Sequence, residues 1–226
     1  MIYYDKVSKI YPDKSVALDG VSFGVEPKEF VTIVGQSGAG KTTLIKMLIA
    51  EEYPTTGSVF LESTNIHKLG QRAMNKLRRR IGIVFQDFRL IPNKTVYENI
   101  AFAMEAAGRR DNEIASNVPH VLELVDIGHK IWNFPHELSG GEAQRVAIAR
   151  AIVNQPDIVI ADEPTGNLDP TNTHEIIRIL QKINDLGTTI LLTTHNKGVV
   201  DTVKGRVITM EKGKVVRDDK HGKYVL

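Results

Sequence analysis

Apolar and polar residues alternate along residues 2–7, 21–25 and 58–61, which predicts half-buried strands of an antiparallel sheet. Phe30–Val34 has another texture. It is almost continuously apolar, as a strand buried on both faces must be. The same texture returns at residues 81–85, 157–161, Thr189–Thr194 and 206–210. Helix-period segments alternate with the later runs, at residues 142–153, 172–185 and roughly Lys197–Val203, and this alternation predicts a parallel, doubly wound sheet. Residues 211–214 read as a turn, with Val215 and Val216 opening a short final strand.

Between Asp87 and Ala151 the texture changes: residues 95–107 and 112–124 have helical spacing and no convincing strand lies among them. The expectation is an α/β fold in one domain, residues 1–226, with an N-terminal antiparallel β subdomain. Residues of about 1–86 and 152–226 would form the core, and about 87–151 an inserted helical subdomain. There is no internal repeat and no low-complexity linker.

Composition narrows the function classes. The chain has 226 residues, 42% hydrophobic and 25% charged, which is ordinary for a globular protein able to bury a core. A net charge of +2, spread along the chain, argues against a strong electrostatic footprint for nucleic acid. Lys76, Arg78, Arg79 and Arg80 form one basic cluster. It reads as a solvated helix face, or else as a docking patch for a partner or anionic lipid. Cysteine is absent, which removes disulfides, thiolate catalysis and Cys-based zinc sites, and the 7 histidines lack metal-ligand spacing. The N-terminus lacks a secretory apolar stretch, and no window approaches 18 uninterrupted apolar residues. Any membrane role is therefore expected to be borrowed from a partner.

The chemistry begins where the buried strand Phe30–Val34 ends. Gly35, Gln36, Ser37, Gly38, Ala39, Gly40, Lys41 and Thr42 fit G-x-x-x-x-G-K-[ST], and residues 42–49 read as the helix that follows. The glycines let backbone N–H groups approach phosphates at a positive helix end. Lys41 supplies a mobile charge for the β- and γ-phosphates, and the Thr42 hydroxyl, with Thr43 behind it, suits the hard-oxygen demand of Mg²⁺. A chance glycine-rich turn is the bland alternative, and it does not explain the strand–loop–helix order.

The apolar run 157–161 ends in Asp162 and Glu163. Adjacent strand residues point to opposite faces. Asp162 is thus expected to hold Mg²⁺, and Glu163 to orient or deprotonate the water that attacks a γ-phosphate. Alone, such a pair would more often cap a helix or sit on a surface. Residues 138–142, Leu-Ser-Gly-Gly-Glu, precede an Ala-rich helix with Ser139 at the cap position. This is either a structural capping box or a second phosphate site at a helix N-terminus.

With their order along the chain, these motifs resemble the nucleotide-binding subunits of the ATP-binding cassette (ABC) superfamily, over essentially the whole sequence. The resemblance implies a P-loop (RecA-like) core and an ATPase that uses ATP and Mg²⁺. It also implies a homodimer, because in that family the signature Ser139, Gly140, Gly141 and Glu142 contact ATP held by the opposite subunit. Tyr11 resembles the aromatic that stacks on adenine, with an ordinary strand-edge tyrosine as the alternative. Gln86 resembles the Q-loop glutamine, which touches Mg²⁺ and water and reports to a membrane partner. Residues 167–169, Asn-Leu-Asp, resemble the D-loop across the dimer, so Asp169 joins the expected contacts. His195 resembles the switch histidine at the γ-phosphate. One departure stands out: many relatives carry Gln where this chain has Ala143, with Gln144 next.

Residues 85–99 and 153–169 are similar to the cell-division branch of that family, as is the tail with Arg217-Asp218 and Gly222-Lys223-Tyr224. That likeness implies a peripheral subunit at the cytoplasmic face of a bacterial plasma membrane, which drives an integral membrane partner to regulate cell-wall hydrolysis. The partner is expected to dock near residues 86–95, on Phe88 and Leu90. ATPases of lipoprotein release and macrolide export share residues 161–169 and remain the neighbouring reading. A soluble ABC protein acting on ribosomes or DNA would usually carry two cassettes or a long coiled coil. A sensor without turnover conflicts with Glu163 and His195.

Overall fold

The computed structural model describes residues 1–203 and 205–220, so Gly222, Lys223 and Tyr224 of the tail lie outside the described residues. The chain opens with β1 (Ile2–Ile10), β2 (Val16–Val25), β3 (Phe30–Val34), α1 (Lys41–Leu48), β4 (Thr56–Leu61) and the two-residue β5 (Thr64–Asn65). Next come α2 (Gln71–Arg78) and β6 (Ile81–Val84), then three helices in succession, α3 (Val96–Ala106), α4 (Asp111–Leu124) and α5 (Gly140–Ile152). The chain then alternates through β7 (Ile158–Asp162), α6 (Pro170–Asp185), β8 (Thr189–Thr194), α7 (Lys197–Val203), β9 (Arg206–Glu211) and β10 (Lys214–Asp219).

Two sheets result. The first is antiparallel, in the order β2-β1-β4-β5. The second runs β10-β9-β3-β8-β7-β6, parallel except for β10, which pairs antiparallel at one edge. The expected α/β fold is observed, with helices alone between β6 and β7. β1 extends to Ile10, past the alternation that announces it. Register shifts between Tyr4 and Val7, and again around Lys9, break the two-residue period.

The parallel strands sort their apolar residues by parity onto two cores. Val31, Ile33, Ile158, Ile160 and Leu191 pack with Tyr4, Val7, Leu44 and Leu48, beneath α1 and the antiparallel sheet. Val159, Ala161, Ile190 and Leu192 pack with residues of α3, α4, α5 and α6. Continuous apolar runs were needed because both faces are covered. The Tyr4 hydroxyl, buried throughout, donates to the Leu44 carbonyl at 3.0 Å and ties the small sheet to α1.

The basic cluster at the end of α2 is only partly a solvated face. Arg78 donates to the carbonyls of Ile49 and Ala50 at 3.0 and 3.2 Å, and Arg80 pairs with Glu62 and Asp157. Lys76, Arg78 and Arg79 are all exposed, while Arg80 is half-buried.

Candidate functional site: a phosphate loop between two carboxylates

β3 lies inside the parallel sheet, so the loop that leaves its C-terminal end opens into the crevice where such sheets bind ligands. That loop turns into α1 at Gly40, whose φ of 102° is left-handed. A Cβ there would stand 2.5 Å from the Ala17 carbonyl, so both the conformation and the space demand glycine. The Lys41 side chain is folded back and buried. Its ammonium donates to the Gly35 carbonyl at 2.7 Å and the Gln36 carbonyl at 3.2 Å, and lies 3.3 Å from Glu163 Oε1.

Asp162 and Glu163 do diverge, though strand alternation is not the reason. β7 ends at Asp162, and Glu163 adopts a left-handed φ of 50°. Its N–H donates to both the carbonyl and the hydroxyl of Thr193, at 3.1 and 3.2 Å, which holds this unfavourable backbone in place. Asp162 Oδ1 accepts from the Thr193 hydroxyl at 2.5 Å and Oδ2 from the Thr42 hydroxyl at 3.3 Å. Glu163 Oε2 accepts from the His195 N–H at 3.3 Å and faces His195 Nδ1 at 3.0 Å.

A cleft of about 780 Å³ gathers Lys41, Thr42, Glu163 and His195, while Gly35 and Asp162 do not line it and Asp162 reaches it through Thr42. The whole run Gln36 to Thr43 walls it, with Tyr11 at one side and Gln86, Glu163 and His195 at the other. Gln86 donates to Asn167 Oδ1 at 3.3 Å, and its amide lies 2.7 Å from where a Cβ on Gly166 would stand. Lys9 Nζ sits 5.1 Å from the centre of the Tyr11 ring, a cation–π contact.

Ser139, Gly140, Gly141, Glu142 and Asp169 do not line this cleft. Ser139 caps α5 in a reciprocal box: its hydroxyl accepts from the Glu142 N–H at 3.3 Å, while Glu142 Oε2 accepts from the Ser139 N–H and hydroxyl at 2.8 Å. The Ser139 N–H bond, opposed by burial and aided by the Ser139 hydroxyl and Lys130, holds the Glu142 carboxyl below its usual range. Asp169 caps α6 through the N–H groups of Thr171 and Asn172, at 2.9 and 3.1 Å. The Asn172 side chain, first among its partners, lowers its carboxyl as well. Ala143 is buried, so the departure at that position faces the core.

Sequence reasoning missed three contributors. Thr193 joins both acidic residues, and Gln144 and Arg150 reach from α5 to the loop after β6. Gln144 is fully buried and donates to the Phe85 carbonyl at 3.4 Å. A polar residue on the apolar side of an Ala-rich helix was the available signal.

A second cavity, a groove of about 560 Å³, opens between β6, α3 and α5. Arg89, Ile91, Phe102 and Arg150 line it. Phe88 and Leu90 do not. Leu90 packs into the second core, and the Phe88 ring approaches Gly140.

A phosphate loop, paired carboxylates at the end of a neighbouring strand and a capped signature helix, set on this sheet, define an ATP-hydrolysing cassette. The ABC transporter family matches residues 18–166, and the chain belongs to that family. Among its relatives is the cell division ATP-binding protein FtsE of Bacillus subtilis (strain 168), 50% identical over 99% of this chain and 98% of that protein. FtsE of Streptococcus pneumoniae serotype 2 is 53% identical over 96% and 95%, and FtsE of Escherichia coli K12 is 41% identical over 94% and 96%. A dimeric ATP-binding cassette in a post-hydrolysis state, bound to ADP and Pi, superposes with a TM-score of 0.88 at 33% identity, covering 99% of this chain and 100% of that one. Among the described residues no helix is long and apolar enough to cross a membrane.

Proposed function

We propose that this ATPase is the nucleotide-driven subunit of an FtsE-like complex. It would act as a homodimer on an FtsX-like integral membrane partner, at the cytoplasmic face of a bacterial plasma membrane, to regulate cell-wall hydrolysis during division. The observation that carries the reading is near full-length identity to FtsE proteins of several bacteria. Residues of about 87–151 would be the helical subdomain of this single cassette.

Within the cleft, Tyr11 would stack on adenine, and Lys41 with the N–H groups from Gly35 to Thr43 would grip the phosphates of the substrate ATP. Lys41 has to release the Gly35 and Gln36 carbonyls to do so. Glu163 would take the proton of the water attacking the γ-phosphate, with His195 fixing the carboxylate. Thr42 and Asp162 already share a hydrogen bond and offer hard oxygens, as Mg²⁺ requires, and Gln86, which lines the same cleft as Thr42, would add an amide oxygen. Mg²⁺ held there would supply positive charge to the phosphates.

Ser139 is exposed and outside its own cleft, which supports a partner protomer closing the phosphates from the other side. Opposed charges gripped in a dry interface strengthen one another, so ATP favours closure and its cleavage favours separation. The natural absence of cysteine permits a direct test. With Glu163→Gln blocking turnover, Ser37→Cys and Ser139→Cys on separate chains should crosslink under saturating ATP and not under ADP. An absence of inter-chain crosslinks would sink the composite site.

A further inference from the structure

We propose that Arg150 is a positioning residue that sets the place of Gln86 in the nucleotide cleft. The inference rests on the reading of Gln86 as a site residue. Immediately after Gln86 the backbone makes a conformation that its side chains disfavour: Phe88 and Arg89 are consecutive non-glycine residues at φ 58° and 49°. Such a pair persists only where surrounding contacts over-determine it. Arg150 supplies them from α5, donating to the Phe88 carbonyl at 2.8 Å and to the Arg89 carbonyl at 2.5 Å. Gln144, on the same helix, donates to the Phe85 carbonyl at 3.4 Å, so α5 holds the loop on both sides of Gln86.

The chemistry of Arg150 marks this grip as more than generic stabilisation. Among the described residues the half-buried guanidinium has no carboxylate partner, and the Phe88 and Arg89 carbonyls answer its charge. Burial accordingly pushes its pKa down. An arginine in this position serves geometry: its planar fork spans two carbonyls, which an ammonium cannot match. One helix therefore carries Ser139 at its N-terminus and, about three turns further on, the side chain that fixes the loop bearing Gln86. The same residue lines the groove with Arg89 and Ile91, so the side chain that holds the loop after Gln86 also borders the groove.

A double-mutant cycle on ATP hydrolysis by the full chain tests this, with Arg150→Met, Gln86→Ala and the double variant. Arg150→Met should lower kcat about tenfold while KM for ATP stays within about twofold, since the phosphate loop is untouched. Arg150→Lys should recover part of the loss. With Gln86→Ala already present, Arg150→Met should cost under about twofold more. Equal factors in both backgrounds, or a KM rise as large as the fall in kcat, would overturn the proposal. Should Arg150→Met fail to fold, the same cycle run with Arg150→Lys decides by the same criterion. If Gln86→Ala alone has no effect, the reading of Gln86 fails instead.

Discussion

Glu163 and His195 face one another across the mouth of the cleft, Oε2 to Nδ1 at 3.0 Å, with the His195 N–H also directed at that oxygen. The other carboxylate oxygen lies 3.3 Å from the Lys41 ammonium. One side chain thus touches both Lys41, proposed to grip the phosphates, and His195, proposed to contact the γ-phosphate. The contacts fix the orientation of the carboxylate, which is the preorganisation that the proposed base would need.

Replacing Glu163 by Gln retains the shape and a hydrogen-bond acceptor but removes the base. Phosphate release should fall by about 10²–10⁴, the usual contribution of a positioned base. ATP affinity should change by less than about threefold, and sedimentation should show dimers accumulating in ATP. Undiminished phosphate release would remove Glu163 from the chemical step.

Tyr11 offers a cleaner probe of nucleotide binding, because it lines the cleft from a different segment than Glu163 and His195. Tyr11→Ala should weaken ATP binding by roughly 1–3 kcal/mol, by analogy with base–aromatic stacking, while Tyr11→Phe stays near wild type. Titration of a fluorescent ATP analogue reads both. Equal losses in both variants would point to the hydroxyl and away from the ring.

Much of this site was legible in the sequence because its pieces are local. The phosphate loop is contiguous from Gly35 to Thr42, and the acidic pair closes an apolar run. The apolar strands were legible for the same reason: burial on both faces leaves a continuous signature. What escaped has no local pattern. Arg150 meets Phe88 and Arg89 from about 60 positions away, and no spacing encodes such a pairing. The left-handed backbone at Glu163 was equally hidden, since a glutamate there reads the same in either conformation. The likeness to relatives suggested a dock near residues 86–95, and only packing could tell that Arg89 and Ile91 line the groove there while Phe88 and Leu90 do not.

The capping box at α5 carries a pH signature. The folded state depresses the Glu142 carboxyl, so its stabilisation is complete above the unfolded value of about 4.3. It is lost as pH falls through the lower folded value. Glu142→Gln should therefore lower the melting temperature at pH 7 by an amount corresponding to roughly 0.3–1 kcal/mol, the usual contribution of an acidic side chain at a helix N-terminus. Thermal melts from pH 7 to pH 3 should show the two proteins converge. A gap that stays constant across that range would mean that the charge of Glu142 contributes nothing.

The groove between β6, α3 and α5 yields the test of partner docking. Its floor is apolar, with Ile91 and Phe102, and its rim carries Arg78, Arg79 and Arg89. Phe102 is 49% exposed, a large ring left in water on a helix whose other face is buried. A membrane partner's cytoplasmic segment with apolar and acidic residues would match both features. Phe102→Asp places a charge on that floor without entering the core, and should reduce co-purification with the membrane partner by at least about tenfold, or about 1.4 kcal/mol. ATP binding by the isolated chain should be unchanged, because Phe102 is not part of the nucleotide cleft. Phe88→Ala is the contrast: it disturbs the neighbourhood of Gly140, so its first effect should be on hydrolysis. Co-purification that survives Phe102→Asp and fails with Phe88→Ala would move the dock to the signature-helix side of the loop.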